Sequence, residues 1–324
     1  MSETNTSATD TRDARPAATS SRAGAASESG SAPATLLFGL DGTSLDPDAP
    51  LLHADDLAAL RGDGIFETLL IRDGRARRVG AHLERFRRSA ALMGLPEPDS
   101  DRWQAAIAAA TAAWVTRAGD SGPEAEGLLR LVYSRGREGA TGEPAPTAYL
   151  TVGPVADRAR AARADGVSVV TLDRGYSVDL AARAPWQLLG AKTLSYATNM
   201  AALRYAAEQG FDDVIYLSSE GAVLEGPRST VIAVFGDTLV TPRPEDGILA
   251  GTTQQAVFDL AEKEGWRTDV RLLRREDLVA ADSVWLVSSV TVAARVTALN
   301  RYVMPVTDEA DKFSDLVDRA ICVD

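Results

Sequence analysis

The sequence contains very little cysteine, histidine or lysine. Its 324 residues include one cysteine (Cys322), two histidines (His53 and His82) and three lysines, at positions 192, 263 and 312. One cysteine excludes an internal disulfide, and these counts also exclude a structural zinc site made of cysteine and histidine ligands. Because the sequence shows neither an export signal nor a disulfide, we expect the protein to work in the cytosol.

Positive charge and long apolar runs are also scarce. Acidic residues number 46 and basic residues 34, which gives a formal net charge of −12. Proteins that bind nucleic acids without sequence preference need clustered cations, and this acidic balance argues against that class. No apolar run reaches the roughly 18 residues that a membrane span requires. We therefore expect neither a nucleic acid nor a membrane partner.

The composition divides the chain into a tail and two folded regions. Residues 1–34 contain no leucine, isoleucine, valine or aromatic residue. Such a segment cannot bury enough apolar surface to offset the entropy of ordering it, so a disordered tail is expected. We expect a small N-terminal α+β domain over residues 35–153, an interdomain linker over 154–166, and a larger C-terminal domain over 167–324.

The spacing of apolar residues predicts the elements of both regions. Asp73-Gly74 predicts a tight hairpin turn within the first region. In that region, strands are expected at 36–40, 65–71, 128–134 and 148–152, and helices at 81–93 and 101–118. In the second region, strands are expected at 167–172, 214–217, 231–235, 238–240, 268–272 and 284–288, and helices at 195–209, 252–264 and 307–321.

Lys192 differs from the other two lysines because its surroundings carry no charge. It is the only charged residue between Arg183 and Arg204, whereas Lys263 and Lys312 lie among acidic residues that are typical of solvated helix surfaces. A lysine in apolar surroundings has a lowered pKa, and its amine becomes a nucleophile that can form a Schiff base. The alternative is a lysine that extends its amine from a helix start into solvent.

A carboxylate and a helix start are two further candidates for binding a cofactor. Glu225 precedes Gly226-Pro227 and therefore lies at a turn, where it could hold a pyridinium nitrogen protonated or simply face water. Gly251-Thr252-Thr253 begins a predicted helix. Free amides and two hydroxyls at a helix start suit a phosphate, although threonine also caps helices that bind nothing.

Two arginines are candidates for binding anions. His82 and Arg85 are three residues apart on a predicted helix and so lie on the same side of it, where Arg85 could make a forked contact to a phosphate. Arg135 follows an apolar strand that ends at Ser134, and it could bind a substrate carboxylate. Each of these arginines could instead be a cation that faces solvent.

The order of these motifs is more specific than any one of them. Along the chain they are Gly62-Asp63-Gly64-Ile65-Phe66-Glu67-Thr68, His82-Leu83-Glu84-Arg85, Ser134-Arg135-Gly136, Lys192, Glu225-Gly226 and Gly251-Thr252-Thr253. This order resembles the class IV (fold type IV) pyridoxal-phosphate enzymes over roughly residues 50–300. The resemblance implies a two-domain α/β (α+β) fold, with a small N-terminal sheet and helices before a larger β-barrel-like domain with helices.

The resemblance also implies roles for individual residues. Lys192 matches the lysine that forms a Schiff base with pyridoxal 5′-phosphate, and Glu225 matches the acid that bonds its pyridine nitrogen. Arg85 matches the arginine that binds the cofactor's phosphate. The other residues expected at that phosphate are Thr252, Thr253 and, on a second turn, Ser289. Arg135 matches an arginine that recognises a substrate carboxylate and that reaches the site from the neighbouring subunit, which implies a homodimer.

Within the family, the sequence is most similar to 4-amino-4-deoxychorismate lyase, an enzyme of folate biosynthesis. The short Lys192-Thr193-Leu194-Ser195 spacing resembles lyases and D-amino-acid aminotransferases rather than branched-chain enzymes. The D-amino-acid group commonly has a histidine near the arginine that matches Arg135, and no histidine follows His82 here. The alternatives are an amino-acid transaminase, branched-chain or D-specific, and a non-catalytic small-molecule-binding protein with the same fold.

Overall fold

A computed structural model describes residues 35–119, 126–139, 145–306 and 309–323. The predicted disordered tail lies outside these residues. Among the described helices, none is long and apolar enough to cross a membrane.

The N-terminal half is built on an antiparallel sheet of six strands. The strands are β1 (Leu36–Gly39), β2 (Ser44–Leu45), β3 (Gly64–Arg72), β4 (Arg75–Ala76), β5 (Gly127–Ser134) and β6 (Thr147–Pro154). Their order in the sheet is β2-β1-β6-β5-β3-β4. Asp73 and Gly74 join β3 to β4 with φ angles of 51° and 72°, the left-handed pair that a two-residue hairpin requires, so the predicted turn is confirmed.

Helices cover one face of this sheet and build its core. Phe86 of the second helix packs edge to face on Trp103 of the third, with ring centroids 5.0 Å apart, and Trp114 completes the same buried cluster. Asp99 caps the third helix by accepting hydrogen bonds from the Asp101 and Arg102 amides. The helices are α1 (Leu57–Arg61), α2 (Val79–Leu92) and α3 (Ser100–Ala118).

The segment predicted as a linker contains a helix, α4 (Asp157–Asp165), which connects the two sheets. The second sheet has eight described strands, which are β7 (Val167–Asp173), β8 (Asp213–Leu217), β9 (Thr230–Phe235), β10 (Thr238–Thr241), β11 (Arg267–Val270), β12 (Ser283–Ser288), β13 (Val292–Leu299) and β14 (Tyr302–Val303). Their order in the sheet is β11-β10-β9-β12-β13-β7-β8, with β14 paired to β13. The division into two domains at 154–166 remains a prediction.

The second sheet curls toward a barrel because a short segment bridges its two edges. Val223 pairs with Leu217 at the end of β8 and donates its amide hydrogen to the Leu273 carbonyl beyond β11. The neighbouring Ala222 pairs with Arg274. The expected β-barrel-like character of the C-terminal half is therefore confirmed, with the closure made by irregular backbone.

Helices surround this second sheet and fill the space between the two halves. They are α5 (Leu180–Arg183), α6 (Ala197–Glu208), α7 (Thr252–Lys263), α8 (Arg275–Ala280) and α9 (Glu309–Ala320). Leu70, on the face of the first sheet opposite α2 and α3, belongs to the same buried cluster as Phe258 of α7, Trp285 of β12 and Phe313 of α9. The sheets therefore share a core, and the elements that carry the predicted motifs meet beside it.

Candidate active site

A cavity of about 510 Å³ lies beside the second sheet, and Arg85 of α2 lines it from the N-terminal half. All six residues that the sequence predicts for the cofactor line it, although they are spread over about 200 positions of the chain. They are Arg85, Lys192, Glu225, Thr252, Thr253 and Ser289.

Backbone hydrogen bonds to β3 fix the position of Lys192. The Phe66 amide donates to the Lys192 carbonyl at 3.0 Å, and the Leu194 amide donates to the Gly64 carbonyl at 2.8 Å. The Lys192 amide donates to Ser89 Oγ of α2 at 3.1 Å. Its Nζ lies 4.7 Å from the centre of the Phe66 ring. The amine is therefore held at a defined place on an aromatic wall.

The electrostatic surroundings favour the neutral form of this amine. Burial lowers the pKa of Lys192 to about 8, and the positive charge of Arg85 acts in the same direction. The negative charges of Glu67 and Glu225 act against this shift without cancelling it. An amine with this pKa is partly unprotonated near neutral pH, so it can act as a nucleophile or as a base. These surroundings favour the interpretation of Lys192 as a reactive amine over that of a lysine that extends into solvent.

Glu225 lies on the segment that bridges the barrel edges. The Tyr216 amide of β8 donates to its carbonyl at 2.8 Å, and the Leu249 amide donates to its Oε2 at 3.1 Å. Burial raises the pKa of this carboxyl, while the Leu249 amide and the positive charge of Arg174 favour its ionised form. One hydrogen bond from the protein leaves the carboxylate able to accept another from a ligand.

The start of α7 is suited to an anion. Gly251 occupies its N-cap position and offers no side chain to the first turn, so the amides there have no side-chain cap. A Cβ at this position would collide with Thr230 Oγ1, which explains the glycine. Thr252 and Thr253 follow and are both buried. Free amides, two hydroxyls and the helix dipole together favour a phosphate.

Arg85 belongs to a buried cluster that the sequence motifs only partly indicated. Glu67 of β3 accepts two hydrogen bonds from the Arg85 guanidinium, from Nε at 2.7 Å and Nη2 at 2.8 Å. Arg85 Nη1 donates to the Ala250 carbonyl just before α7 at 3.0 Å. The sequence motif that contains Glu67 assigns it no role. Alternation along β3 nevertheless predicts that Glu67 is buried, because it lies on the same face as Ile65 and Leu69.

His82 connects this cluster to the helix start and to the second turn. Its Nδ1 lies 2.7 Å from Glu67 Oε2, and its Nε2 lies 3.3 Å from Ser289 Oγ and 3.5 Å from Thr252 Oγ1. Burial lowers the pKa of His82 despite the adjacent carboxylate. A neutral ring that donates from Nδ1 to Glu67 turns its Nε2 lone pair toward the two hydroxyls.

Hydrogen-bonded polar residues form the cavity wall near Glu225. Tyr196 Oη donates to the Pro227 carbonyl, and Asn199 Nδ2 donates to the same carbonyl at 3.1 Å. Asn199 Oδ1 accepts from Arg174 Nη1 at 2.8 Å, and the Arg174 guanidinium lies 4.4 Å from the centre of the Tyr216 ring. These residues form no local motif, so the sequence offered no signal for them as a group.

The donor set of the cavity fits pyridoxal 5′-phosphate. Lys192 would hold its aldehyde carbon, Glu225 its pyridine nitrogen, and the start of α7 its phosphate. In addition, Ser229 Oγ lines the cavity and is buried without a hydrogen-bond partner, which leaves it available to a polar ligand. Among the described residues, no group of three or more acidic, histidine or cysteine side chains could hold a metal ion.

Arg135 is the one predicted site residue that lies outside this cavity. Its Nε and Nη2 donate to the carboxylate of Asp63 at 2.7 and 3.2 Å. Its guanidinium also donates to the carbonyls of Met93 and Gly94. Within one chain, Arg135 therefore ties the strand end to the end of α2. A role at a substrate carboxylate would have to be at the site of a neighbouring subunit.

Comparisons with known proteins identify the family of this chain. The sequence model of the family described as amino-transferase class IV matches residues 64–299. The chain is 56% identical over 296 residues to a bifunctional aminodeoxychorismate lyase / D-amino acid transaminase of Mycobacterium tuberculosis, covering 89% of this chain and 100% of that protein.

Solved structures give the same result. A hypothetical aminotransferase from Mycobacterium tuberculosis, in its PLP-bound form, superposes with a TM-score of 0.84 at 55% identity and covers 89% of this chain and 99% of its own. A fold IV transaminase from Curtobacterium pusillum superposes with a TM-score of 0.81 at 41% identity, covering 89% and 97%. The chain therefore belongs to the class IV aminotransferase family.

Proposed function

We propose that this enzyme is a pyridoxal-phosphate-dependent 4-amino-4-deoxychorismate lyase, which releases pyruvate and forms 4-aminobenzoate for folate biosynthesis. The observation that carries the proposal is the full-length relative at 56% identity, whose name includes aminodeoxychorismate lyase. The short spacing after Lys192 favours a lyase or a D-amino-acid aminotransferase over a branched-chain enzyme. Among the alternatives, a non-catalytic binding protein is not supported, because the similar proteins named above are enzymes and Lys192 lines the cavity.

The chemistry divides between the cofactor and the protein. When bound, pyridoxal phosphate supplies a pyridinium ring that withdraws electrons from the substrate carbon that carries the amine. Glu225 would keep the ring nitrogen protonated, because an ionised carboxylate beside it stabilises the positive charge. The start of α7, Ser289 and Arg85 would hold the phosphate and so fix the position of the ring.

Lys192 would also move a proton. Once its amine is free, it would take the hydrogen from the ring carbon of aminodeoxychorismate that bears the amino group. The bond between the neighbouring ring carbon and the enolpyruvyl oxygen then breaks, the released enol takes up a proton to become pyruvate, and the substrate ring becomes aromatic. A base works best when its pKa lies near the working pH, and the pKa of about 8 meets that requirement. General-base action of this kind typically contributes about 10²–10⁴-fold in rate.

The substrate carries two carboxylates, which the net charge of −12 would repel. A local excess of cations is therefore required, and Arg174 and Arg228 both line the cavity. Arg228 is partly neutralised by Asp213 at 3.3 Å, whereas Arg174 is held by Asn199 and the Tyr216 ring. Arg174 is the better candidate for attracting the anion.

The test is an assay of purified enzyme, loaded with pyridoxal phosphate, on aminodeoxychorismate without any 2-oxo acid. Pyruvate and 4-aminobenzoate should form in equal amounts, and Lys192→Ala should form neither. Strict dependence of product formation on an added 2-oxo acid would contradict a lyase.

A second candidate is D-amino-acid transamination, because the name of the same relative joins both activities. The absence of a histidine after His82 therefore does not separate the two reactions. A transaminase would use Lys192 to move the same kind of proton but would need a 2-oxo acid as amino acceptor. The enzyme should be tested on D-alanine with 2-oxoglutarate, and on branched-chain amino acids as the further alternative.

We also propose that the enzyme is a homodimer that works in the cytosol. Helix α6 contains eight apolar residues, and of these only Ala206 is buried, while Met200 and Tyr205 are 43% and 49% exposed. An apolar helix left open beside the cavity is the kind of surface that a second copy covers. Light scattering should give twice the mass of the chain, and a monomer at assay concentration would contradict the dimer.

A further inference from the structure

The hairpin between β12 and β13 holds a strained residue beside the cavity. Ser288 pairs with Val292, so three residues, Ser289, Val290 and Thr291, form the turn. Val292 has a φ angle of 63°. Val292 follows this turn directly, and glycine is the usual residue where the backbone of a hairpin takes this left-handed conformation. A β-branched residue there is a true outlier, and such strain persists only where surrounding contacts hold it.

Arg163 of α4 supplies those contacts. Its Nη2 donates to the Val290 carbonyl at 2.5 Å, and its Nε donates to the Thr291 carbonyl at 3.2 Å. Both bonds come from one planar guanidinium, so they fix the orientation of two successive peptides. Ser288 Oγ adds a third contact within the turn by accepting from the Thr291 amide at 3.1 Å.

The position of Arg163 is itself fixed. Its Nη1 donates to Glu126 Oε2 at 2.7 Å, and Glu126 Oε1 accepts from Arg72 Nε at 2.6 Å. All three side chains are mostly buried. Glu126 would therefore keep one partner if Arg163 were replaced, so no buried carboxylate would be left alone.

This turn carries Ser289, whose hydroxyl lines the cavity and lies 3.3 Å from His82 Nε2. We propose that Arg163 is a positioning residue, which holds the strained turn so that Ser289 faces the phosphate of pyridoxal phosphate. Arg163 itself does not line the cavity and touches neither cofactor nor substrate. The proposal rests on the proposed function in one respect, that the phosphate is bound at Ser289.

A purely structural role would look different. Arg163 also joins α4 to the first sheet through Glu126. Loss of that link alone would lower the free energy of unfolding, whether or not Ser289 contacts the cofactor. A positioning role instead predicts that Arg163 acts on cofactor binding only through Ser289. The two residues should therefore be coupled, and a double-mutant cycle measures such coupling.

The experiment measures the dissociation constant of pyridoxal phosphate by titrating cofactor-free protein and following the quenching of tryptophan fluorescence. The variants are Arg163→Gln, Ser289→Ala and the double variant, with Arg160→Gln as the matched control. Arg160 lies on the same helix and pairs with the fully exposed Asp157. Thermal unfolding of each cofactor-free variant checks that it is folded, and Arg163→Lys replaces Arg163→Gln if the latter is not.

We expect Arg163→Gln to weaken binding about tenfold, the factor that corresponds to one lost charge-assisted hydrogen bond. Ser289→Ala should weaken it by a similar factor, the double variant should bind about as well as Ser289→Ala alone, and Arg160→Gln should bind like the wild type. The proposal would be overturned if Arg163→Gln weakened cofactor binding by the same factor in the wild type and in Ser289→Ala. It would also be overturned if one or both of the single variants bound the cofactor as tightly as the wild type. Failure of the wild-type protein to bind pyridoxal phosphate would instead overturn the proposed function.

Discussion

Replacement of Glu67 by glutamine should damage the site more than any other single isosteric change. Glu67 is fully buried and accepts four hydrogen bonds, two from Arg85, one from His82 and one from the Thr68 backbone amide. Burial alone would raise the pKa of this carboxyl, but the charge and hydrogen bonds of Arg85, supported by His82, hold it well below its usual range. Glutamine keeps the shape, removes the charge, and points an amide donor at groups that are themselves donors.

The size of the expected loss in stability follows from the positive charge of Arg85, which stays buried in the variant. In Glu67→Gln the Arg85 guanidinium stays buried without a negative partner, and its remaining acceptors, the glutamine amide oxygen and the Ala250 carbonyl, are both neutral. Breaking a buried ion pair by removing one partner typically costs about 3–5 kcal/mol, and we expect that loss in the free energy of unfolding of the cofactor-free protein. Loss of the negative charge also lowers the pKa of Lys192 further, because Glu67 acts to raise it.

The assay is urea unfolding of the cofactor-free wild type and variant as a function of pH. A carboxyl with a depressed pKa in the folded state stabilises the protein above its unfolded pKa, near 4.3, and this stability is lost as pH falls below that value. The advantage of the wild type over Glu67→Gln should therefore be constant above about pH 5 and shrink in more acidic solution.

The matched control is Glu84→Gln on α2. Glu84 pairs with Arg87 at 3.0 Å, but both side chains are about half exposed. Solvent screens such pairs, so this change should cost less than about 1 kcal/mol. A loss in Glu67→Gln no larger than that in the control would refute the account of the buried cluster.

Three other predictions concern the amines and the substrate arginine. Lys192→Arg should abolish turnover, because a guanidinium does not become a nucleophilic amine, whereas Lys263→Arg should leave turnover nearly unchanged; residual activity of the first variant would contradict the role of Lys192. The rate at which cofactor-free enzyme takes up pyridoxal phosphate should rise with pH, reach half of its maximum near pH 8 and level off about one pH unit higher, and a rate that keeps rising to pH 10 would contradict the lowered pKa of Lys192. If Arg135 serves the site of a neighbouring subunit, a mixture of inactive Arg135→Ala and Lys192→Ala subunits should recover about a quarter of wild-type activity, since half of the randomly assorted dimers have one intact site. No recovery after subunit exchange would contradict a role of Arg135 at the neighbouring subunit's site.

Local sequence patterns predict most of the helices and strands, and a strand that they miss is formed by tertiary packing. The helix expected at 252–264 is α7 (Thr252–Lys263), and the strand expected at 65–71 is β3 (Gly64–Arg72). The sequence did not predict β13, although it lies in the middle of the second sheet. Ala293 and Ala294 have little preference for strands, and they are buried because β12 and β7 flank them.

The site shows a similar division. The sequence placed Lys192, Glu225 and the start of α7 because each has a local signature, such as an uncharged neighbourhood or a glycine before two threonines. It could not place Glu67 at Arg85, since the two residues meet only when α2 packs on β3. For the same reason it could not show that Arg135 is bound by Asp63. Partnerships between charged groups depend on tertiary packing, which residue spacing alone does not determine.

The Lys192 amine should bind pyridoxal phosphate within this cavity, and the chain has only two other lysines that could do so. Reduction of the loaded enzyme with borohydride makes the bond between cofactor and lysine permanent, and mass spectrometry then maps the modified peptide. We expect the added mass on Lys192 and none on Lys263 or Lys312. A stable modification on either of the other lysines, with Lys192 unmodified, would contradict it.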